Sequence, residues 1–169
     1  PHALGVIEFF KPYGVPEAFG GLNGFSHIHI LFVFDKAPYE NFHATVRPPR
    51  LGGNISCGVF ASRSPFRPSR IGLSTVKIVE IKESLGEISI VVAGADLVDG
   101  TPIIDIKPYI PFVDAVLDAK GGFASQMPPQ FEVNFSDLAL EKLAHLGNRR
   151  ILAIKETLAQ DPRPAYKDD

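Results

Sequence analysis

The residues with the greatest chemical capacity in this chain are arginines held between prolines and glycines. Residues 41–79 carry Arg47, Arg50, Arg63, Arg67, Arg70 and Lys77 and contain no Asp or Glu. The stretch therefore bears +6 in a chain of formal net charge −2, which leaves −8 on the remainder. Guanidinium groups grip carboxylates and phosphates through paired hydrogen bonds. A cationic block inside a chain that is not basic overall points to a built site for an anionic ligand rather than a solvated face. In RPPRLGG (47–53) two prolines fix φ and two glycines allow a close backbone approach, so Arg47 and Arg50 project from a stiff loop. The alternative is a rigid turn whose arginines lie in solvent. SRSPFRPSR (62–70) repeats the logic with Arg63, Arg67 and Arg70 beside Ser64 and Ser69. Its Phe66 can pack underneath or stack on a base, a combination suited to nucleotides or single-stranded RNA. A basic loop paired with acidic neighbours is the competing account, and the acid-free surroundings weaken it.

Carboxylates gather further on. DLVDGTPIIDIKPY (96–109) holds Asp96, Asp99 and Asp105 with Lys107 and Tyr109. Asp105, Lys107 and Tyr109 are two apart, so on a strand they share a face. Asp105 lies among isoleucines, where a buried acid needs a partner that Lys107 or an arginine could supply. An aspartate here could bind a ribose or accept a proton. Asp99-Gly100 is a plain turn signal. His27 and His29 also share a face. A metal would need a third ligand such as Asp35 or His43, with no recognised spacing, so hydrogen-bonded wall histidines are the expectation and no metal is assigned. No G-x-G-x-x-G follows a strand, and no Walker lysine motif, G-x-S-x-G or H-E-x-x-H occurs.

The elements that must position these residues read mainly as strands. GVIEFF (5–10), FSHIHILFVF (25–34), GVFASR (58–63), IGLSTVKIVEIKES (71–84), EISIVVAGADL (87–97) and GTPIIDIKPYI (100–110) are strand candidates, with a turn at Leu85-Gly86. In the fourth, Leu73, Thr75, Lys77 and Val79 fall on one face and Ser74, Val76, Ile78 and Glu80 on the other. Residues 114–130 are polar and Gly/Pro-containing, which suits a connection, and EVNF (132–135) is a further short strand candidate. Ser136 caps a helix over 136–147 that Gly147 stops, and a second helix over 148–160 ends at Pro162. The expected fold is mainly β: a single-sheet antiparallel β-barrel over 1–130 with a small α-helical C-terminal extension, a partial α/β unit, over 131–169.

Composition agrees with this. The chain has 169 residues, 45% hydrophobic and 21% charged, enough for one main domain with a real core. No apolar run reaches the roughly 18 residues a membrane helix needs. The N-terminus lacks the basic n-region of a signal peptide. A chain opening on Pro1 without an initiator methionine reads as a fragment. A single cysteine, Cys57, excludes an internal disulfide and fits a reducing cytoplasm.

GLNGFSHIHILFVF, VRPPRLGGN, GVFASRSPFRP, IGLS, DLVDGTPIIDIKPYIPF and the terminal DPRPAY resemble the TrmO family (also called YaeB or TsaA), over most of residues 5–166. The resemblance implies S-adenosylmethionine-dependent methylation of N6 of threonylcarbamoyladenosine at position 37 of tRNA. It implies a homodimeric β-barrel without a Rossmann fingerprint, a tRNA anticodon loop as partner, no membrane, and a cytoplasmic location. It assigns the cofactor to Pro1, His2, Asp35, Lys36, Arg63, Leu73, Gly94, Ala95, Asp96 and Leu97. VRPPRLGGN and DIKPY would line the substrate cleft, and DPRPAY, with Arg163 and Tyr166, would serve the tRNA. For that reaction Asp105, or Tyr109 beside Lys107, is the candidate proton acceptor, and Arg47, Arg50 or Arg67 the holder of the threonyl carboxylate. The chain departs from the family where R-P-N-P-I-G reads RPSRIG, with Ser69 and Arg70 replacing Asn and Pro. Only Pro1-His2 could represent the family's P-R-Q-P-like motif, and the family's C-terminal domain continues beyond DPRPAY. Two other readings are a non-catalytic nucleotide- or RNA-binding barrel and a methyltransferase of the same fold acting on another carboxylated small substrate.

Overall fold

A computed structural model describes residues 3–37, 42–48, 55–127 and 129–160. The chain divides into two compact units. One comprises Pro1–Asp35 with Ile71–Val116, the other Lys36–Arg70 with Leu117–Asp169.

The first unit is built on one antiparallel sheet. Its strands are β1 (Leu4–Glu8), β2 (His27–Val33), β5 (Ile71–Ser84), β6 (Glu87–Ala93) and β7 (Ile103–Pro108), in the order β1-β6-β5-β2-β7. The apolar alternation of β2 explains its central place. Ile28, Ile30 and Phe32 are buried while His27, His29, Leu31 and Val33 between them are half-buried. Val76 of β5, Ile88, Ile90 and Val92 of β6 and Ile7 of β1 join that buried face. Burying each such side chain stabilises the fold by about 1.5–3 kcal/mol. The residues of β5 divide between faces as expected only as far as Ile78. A bulge leaves Val79 without a partner, so Glu80 opposes Val91 and Ile81, not Glu80, turns inward opposite Ile90. A second bulge on β7 sets Phe32 opposite Ile103 and Leu31 opposite Asp105, leaving Ile104 as the extra residue.

Two glycines carry backbone requirements here. The β5–β6 turn is the two-residue Leu85-Gly86, with φ of 53° and 76°, both left-handed. Gly72 pairs with Phe32, whose ring lies over it; a Cβ there would fall inside the ring.

The second unit contains β3 (Thr45–Val46) paired with β4 (Cys57–Gly58), and the helices α2 (Asp137–Leu143) and α3 (Asn148–Ala159). The short α1 (Pro111–Asp114) belongs to the first unit. Three expectations are corrected. GVFASR is not a strand: the chain leaves β4 after Gly58 and makes a 3-10 turn over Val59–Ala61. There the Ser62 hydroxyl donates to the Val59 carbonyl at 2.9 Å, diverting a group a strand would use. Residues 132–135 form no strand either. Gly147 does not stop α2 in a left-handed conformation; at φ −64° and ψ 149° it is the N-cap of α3. Ser136 caps α2 as expected, its Oγ accepting from the Ala139 N–H at 3.3 Å. The stop assigned to Pro162 lies outside the described residues.

Candidate functional site

The face of the sheet opposite the core carries most of the first unit's polar chemistry. Cross-strand pairing aligns Thr75, His29 and Lys107 in one row, and Leu73, Leu31 and Asp105 in the next. His29 Nδ1 lies 2.9 Å from the Thr75 hydroxyl, and its Nε2 lies 3.4 Å from Asp114 Oδ2. The same Asp114 oxygen accepts the Ile110 N–H at 2.6 Å, which ties α1 to the end of β7. The Tyr109 ring meets His29 edge-on at 5.4 Å and His27 at 6.3 Å, while its N–H donates to the His27 carbonyl. His27 and His29 are thus the hydrogen-bonded wall histidines expected, His27 through the Ser26 hydroxyl at 2.8 Å. Asp105 is exposed rather than buried, because β7 is the last strand of the described sheet order. Lys107 reaches it at 2.8 Å. That hydrogen bond, reinforced by the ammonium charge and the Ile106 N–H, holds the Asp105 carboxyl below its ordinary value against the opposing effect of desolvation.

The segment after β6 is the other candidate set of this unit. Gly94 turns out of the strand at φ 84°, its N–H donating to the Ala3 carbonyl at 3.2 Å. Ala95 and Leu97 pack on the core while Asp96 between them is exposed. Asp35, just beyond β2, is exposed, and Leu73 is half-exposed on the outer face. The carboxylate of Asp96 has the chemistry a ribose diol would need and the half-buried Ala95 and Leu97 beside it are apolar, as a purine would need, whereas Leu73 lies on the opposite face of the sheet. Arg63 and Lys36, the cations of this candidate set, belong to the other unit.

In the second unit the arginine loop is built from its own polar groups. Val59, 1% exposed, anchors it, its N–H donating to the Ala44 carbonyl at 2.9 Å. Arg67 Nη2 donates to the Ser62 carbonyl at 2.8 Å and to the Val59 carbonyl at 3.3 Å. Arg70, at a left-handed φ of 51°, donates through Nη2 to the Ala37 carbonyl at 2.6 Å. These two guanidiniums hold backbone, whereas Arg47 and Arg63 are exposed.

The family model for the tRNA-methyltransferase O N-terminal domain matches residues 1–115. The chain belongs to the tRNA-methyltransferase O family. It is 44% identical over 169 residues to the tRNA (adenine(37)-N6)-methyltransferase of Escherichia coli K12, covering 98% of this chain and 72% of that protein. It is 50% identical over 144 residues to the Eikenella corrodens protein of the same name, covering 85% and 80%. A crystal structure of TrmO from Pseudomonas aeruginosa superposes with a TM-score of 0.75 at 36% identity, over 96% of this chain and 70% of that one.

Within this tRNA-methyltransferase O chain the first unit pairs Asp105 with Lys107, sets Tyr109 against the His27 and His29 rings, and holds Gly94, Ala95, Asp96 and Leu97 in the segment that leaves β6. Asp35 and Leu73 lie in that unit; Lys36, Arg47, Arg63 and Arg67 lie in the other. Pro1, His2, Arg50, Arg163 and Tyr166 fall outside the described residues. Two residues differ from expectation. Asp114, at the start of the expected polar connection, instead ends α1, and Pro111 with an acid within four residues is the sequence signal of that helical turn. Phe60, within the expected strand, is 75% exposed on the arginine loop.

Proposed function

We propose that this chain methylates N6 of threonylcarbamoyladenosine at position 37 of tRNA, with S-adenosylmethionine as methyl donor. The observation that carries the reading is the 44% identity, over 98% of the chain, to a protein named as a tRNA (adenine(37)-N6)-methyltransferase. The bound donor supplies a sulfonium methyl, whose transfer forms an N–C bond at N6 as the C–S bond breaks, leaving a thioether. The protein's part is positioning and electrostatics. Asp96 accepts from the ribose diol, Ala95 and Leu97 flank the purine beyond the bend at Gly94, and Leu73 is assigned to the donor by the family resemblance. By the family resemblance Asp35, Lys36 and Arg63, with Pro1 and His2, are also assigned to the donor, and a guanidinium such as that of Arg63 suits its amino-acid carboxylate.

N6 lies between a purine and a carbamoyl group, and it becomes far more acidic as it gains the methyl. A weakly basic carboxylate then suffices as acceptor, and Asp105, kept ionised by Lys107, takes the proton. Tyr109, whose ring meets those of His27 and His29, is the alternative acceptor on the same face. Arg47 and Arg50 hold the threonyl carboxylate. Arg67, whose Nη2 is already bonded to two carbonyls, has the smaller share. Arg163 and Tyr166 contact the tRNA.

The same reading includes closure of the sheet into a barrel domain over 1–130, a C-terminal extension over 131–169, a homodimer, an anticodon-loop partner and a cytoplasmic location. Mass spectrometry of tRNA incubated with protein and S-adenosylmethionine tests the reaction. One added methyl is expected on threonylcarbamoylated tRNA and none on tRNA lacking that group. Equal methylation of both would remove the threonylcarbamoyl requirement, and methylation of neither would refute the activity.

A further inference from the structure

The arginine loop reverses the usual order of a surface loop, which hides its rings and shows its polar groups. Here the polar groups turn inward. Ser62 Oγ donates to the Val59 carbonyl at 2.9 Å and accepts the Ser64 N–H at 3.3 Å; Ser64 Oγ accepts the Phe66 N–H at 3.2 Å. Arg67 closes the loop on the carbonyls of Val59 and Ser62, and its own carbonyl accepts the Arg70 N–H at 3.1 Å. The rings turn outward: Phe60 is 75% exposed and Phe66 42% exposed, with Arg63 exposed between them in sequence. Each ring follows a residue bound into the clamp or precedes one, Phe60 next to Val59 and Phe66 next to Arg67. Ordering the backbone in advance lowers the entropy lost when a ligand settles on the rings.

We propose that Phe60 and Phe66 form a stacking surface for unpaired bases of an RNA loop. Exposed rings alone would suit many partners. The charge selects among them, because the segment around these rings within the same unit, residues 41–70, bears +5 and no acid. An anionic partner with flat apolar faces matches both properties. Single-stranded nucleic acid has both, whereas a paired duplex hides its base faces. Neither ring has a part in the methyl-transfer roles assigned above. The inference rests on the tRNA reading for its choice of RNA.

Fluorescence anisotropy with the whole chain tests it, using a labelled anticodon stem-loop RNA and a blunt, fully paired RNA of the same length. Phe60→Ala is expected to weaken stem-loop binding by about 5- to 150-fold, the range for losing one base–aromatic stack. Duplex binding and the salt dependence should stay unchanged. Phe60→Trp, which keeps a larger π-face, should bind at least as tightly as the parent. Phe66→Ala should show a loss of the same kind. Unaltered stem-loop binding by Phe60→Ala, or an equal loss on both RNAs, overturns the proposal; so does failure of Phe60→Trp to bind at an unchanged melting temperature. The two readings fail separately. If Phe60 supports stem-loop binding but no methyl reaches position 37, the catalytic reading falls and the stacking surface stands. If methylation occurs and Phe60→Ala binds like the parent, only the surface falls.

Discussion

Lys107 reaches Asp105 at 2.8 Å, and that contact governs the charge of the candidate proton acceptor. Because the folded carboxyl titrates below its ordinary value of 3.8, its stabilising effect is present above that value and is lost as pH falls through the lowered one. Both side chains are about half-exposed, so water screens the pair and its contribution stays below about 1 kcal/mol. Asp105→Asn should therefore cost a small amount of stability at neutral pH. The difference from the parent should vanish in acid below the lowered value, as read by urea denaturation at each pH. If Asp105 takes the N6 proton, the same variant should lose about 10²- to 10⁴-fold in turnover. The partnership was legible, since residues two apart on a strand share a face. The exposure was not, because it depends on β7 being the last strand of the described order, and strand order is invisible in a local pattern.

At the scale of elements, β5 was legible end to end, its limits matching the apolar and β-branched run over Ile71–Ser84. The bulges were hidden, because one unpaired residue leaves composition unchanged and alters only which neighbour faces the core. The strand expected over 58–63 failed for a local reason, as the Ser62 hydroxyl and Arg67 capture the carbonyls of Val59 and Ser62 that a ladder would use. Two substitutions probe the elements that did form. Gly72→Ala sets a Cβ inside the Phe32 ring, and displacing that core ring should cost about 1–3 kcal/mol, seen as a lower melting temperature. Phe32→Leu in the same background should recover part of the loss. Leu85 is fully exposed in a left-handed conformation that costs a branched side chain about 1–2 kcal/mol. Leu85→Asn produces the Asn-Gly pair such turns favour and should raise the denaturation midpoint. An unchanged midpoint would mean that the turn geometry is not the one described.

For the whole molecule, charge is distributed rather than abundant. The net −2 gives no general attraction to nucleic acid, so the +6 segment has to supply it. Of its six cations, Arg67 and Arg70 have donors committed to backbone carbonyls, so the other four are taken as the principal phosphate contacts. The logarithm of tRNA affinity against the logarithm of salt concentration should then fall with a slope no steeper than about −3 on single-stranded contacts. A markedly steeper slope would show that cations outside the segment take part. The family was legible from motif strings alone. The division of the chain into two units was not, because the second unit is assembled from two separate stretches, Lys36–Arg70 and Leu117–Asp169.

The strand β5 pairs with β2 through its first half and with β6 through its second, and Lys77 takes part in both ladders. The two ladders differ in the time they need. The β5–β6 hairpin closes through a two-residue turn, a microsecond event, whereas β2 must return across a separation such as the 46 residues between His29 and Thr75. The hairpin is thus the natural nucleus, and docking of β2 the step that sets the refolding rate. Chevron kinetics would display this order: Leu85→Asn should act chiefly on the refolding limb, and truncation of Ile7 in β1 chiefly on the unfolding limb.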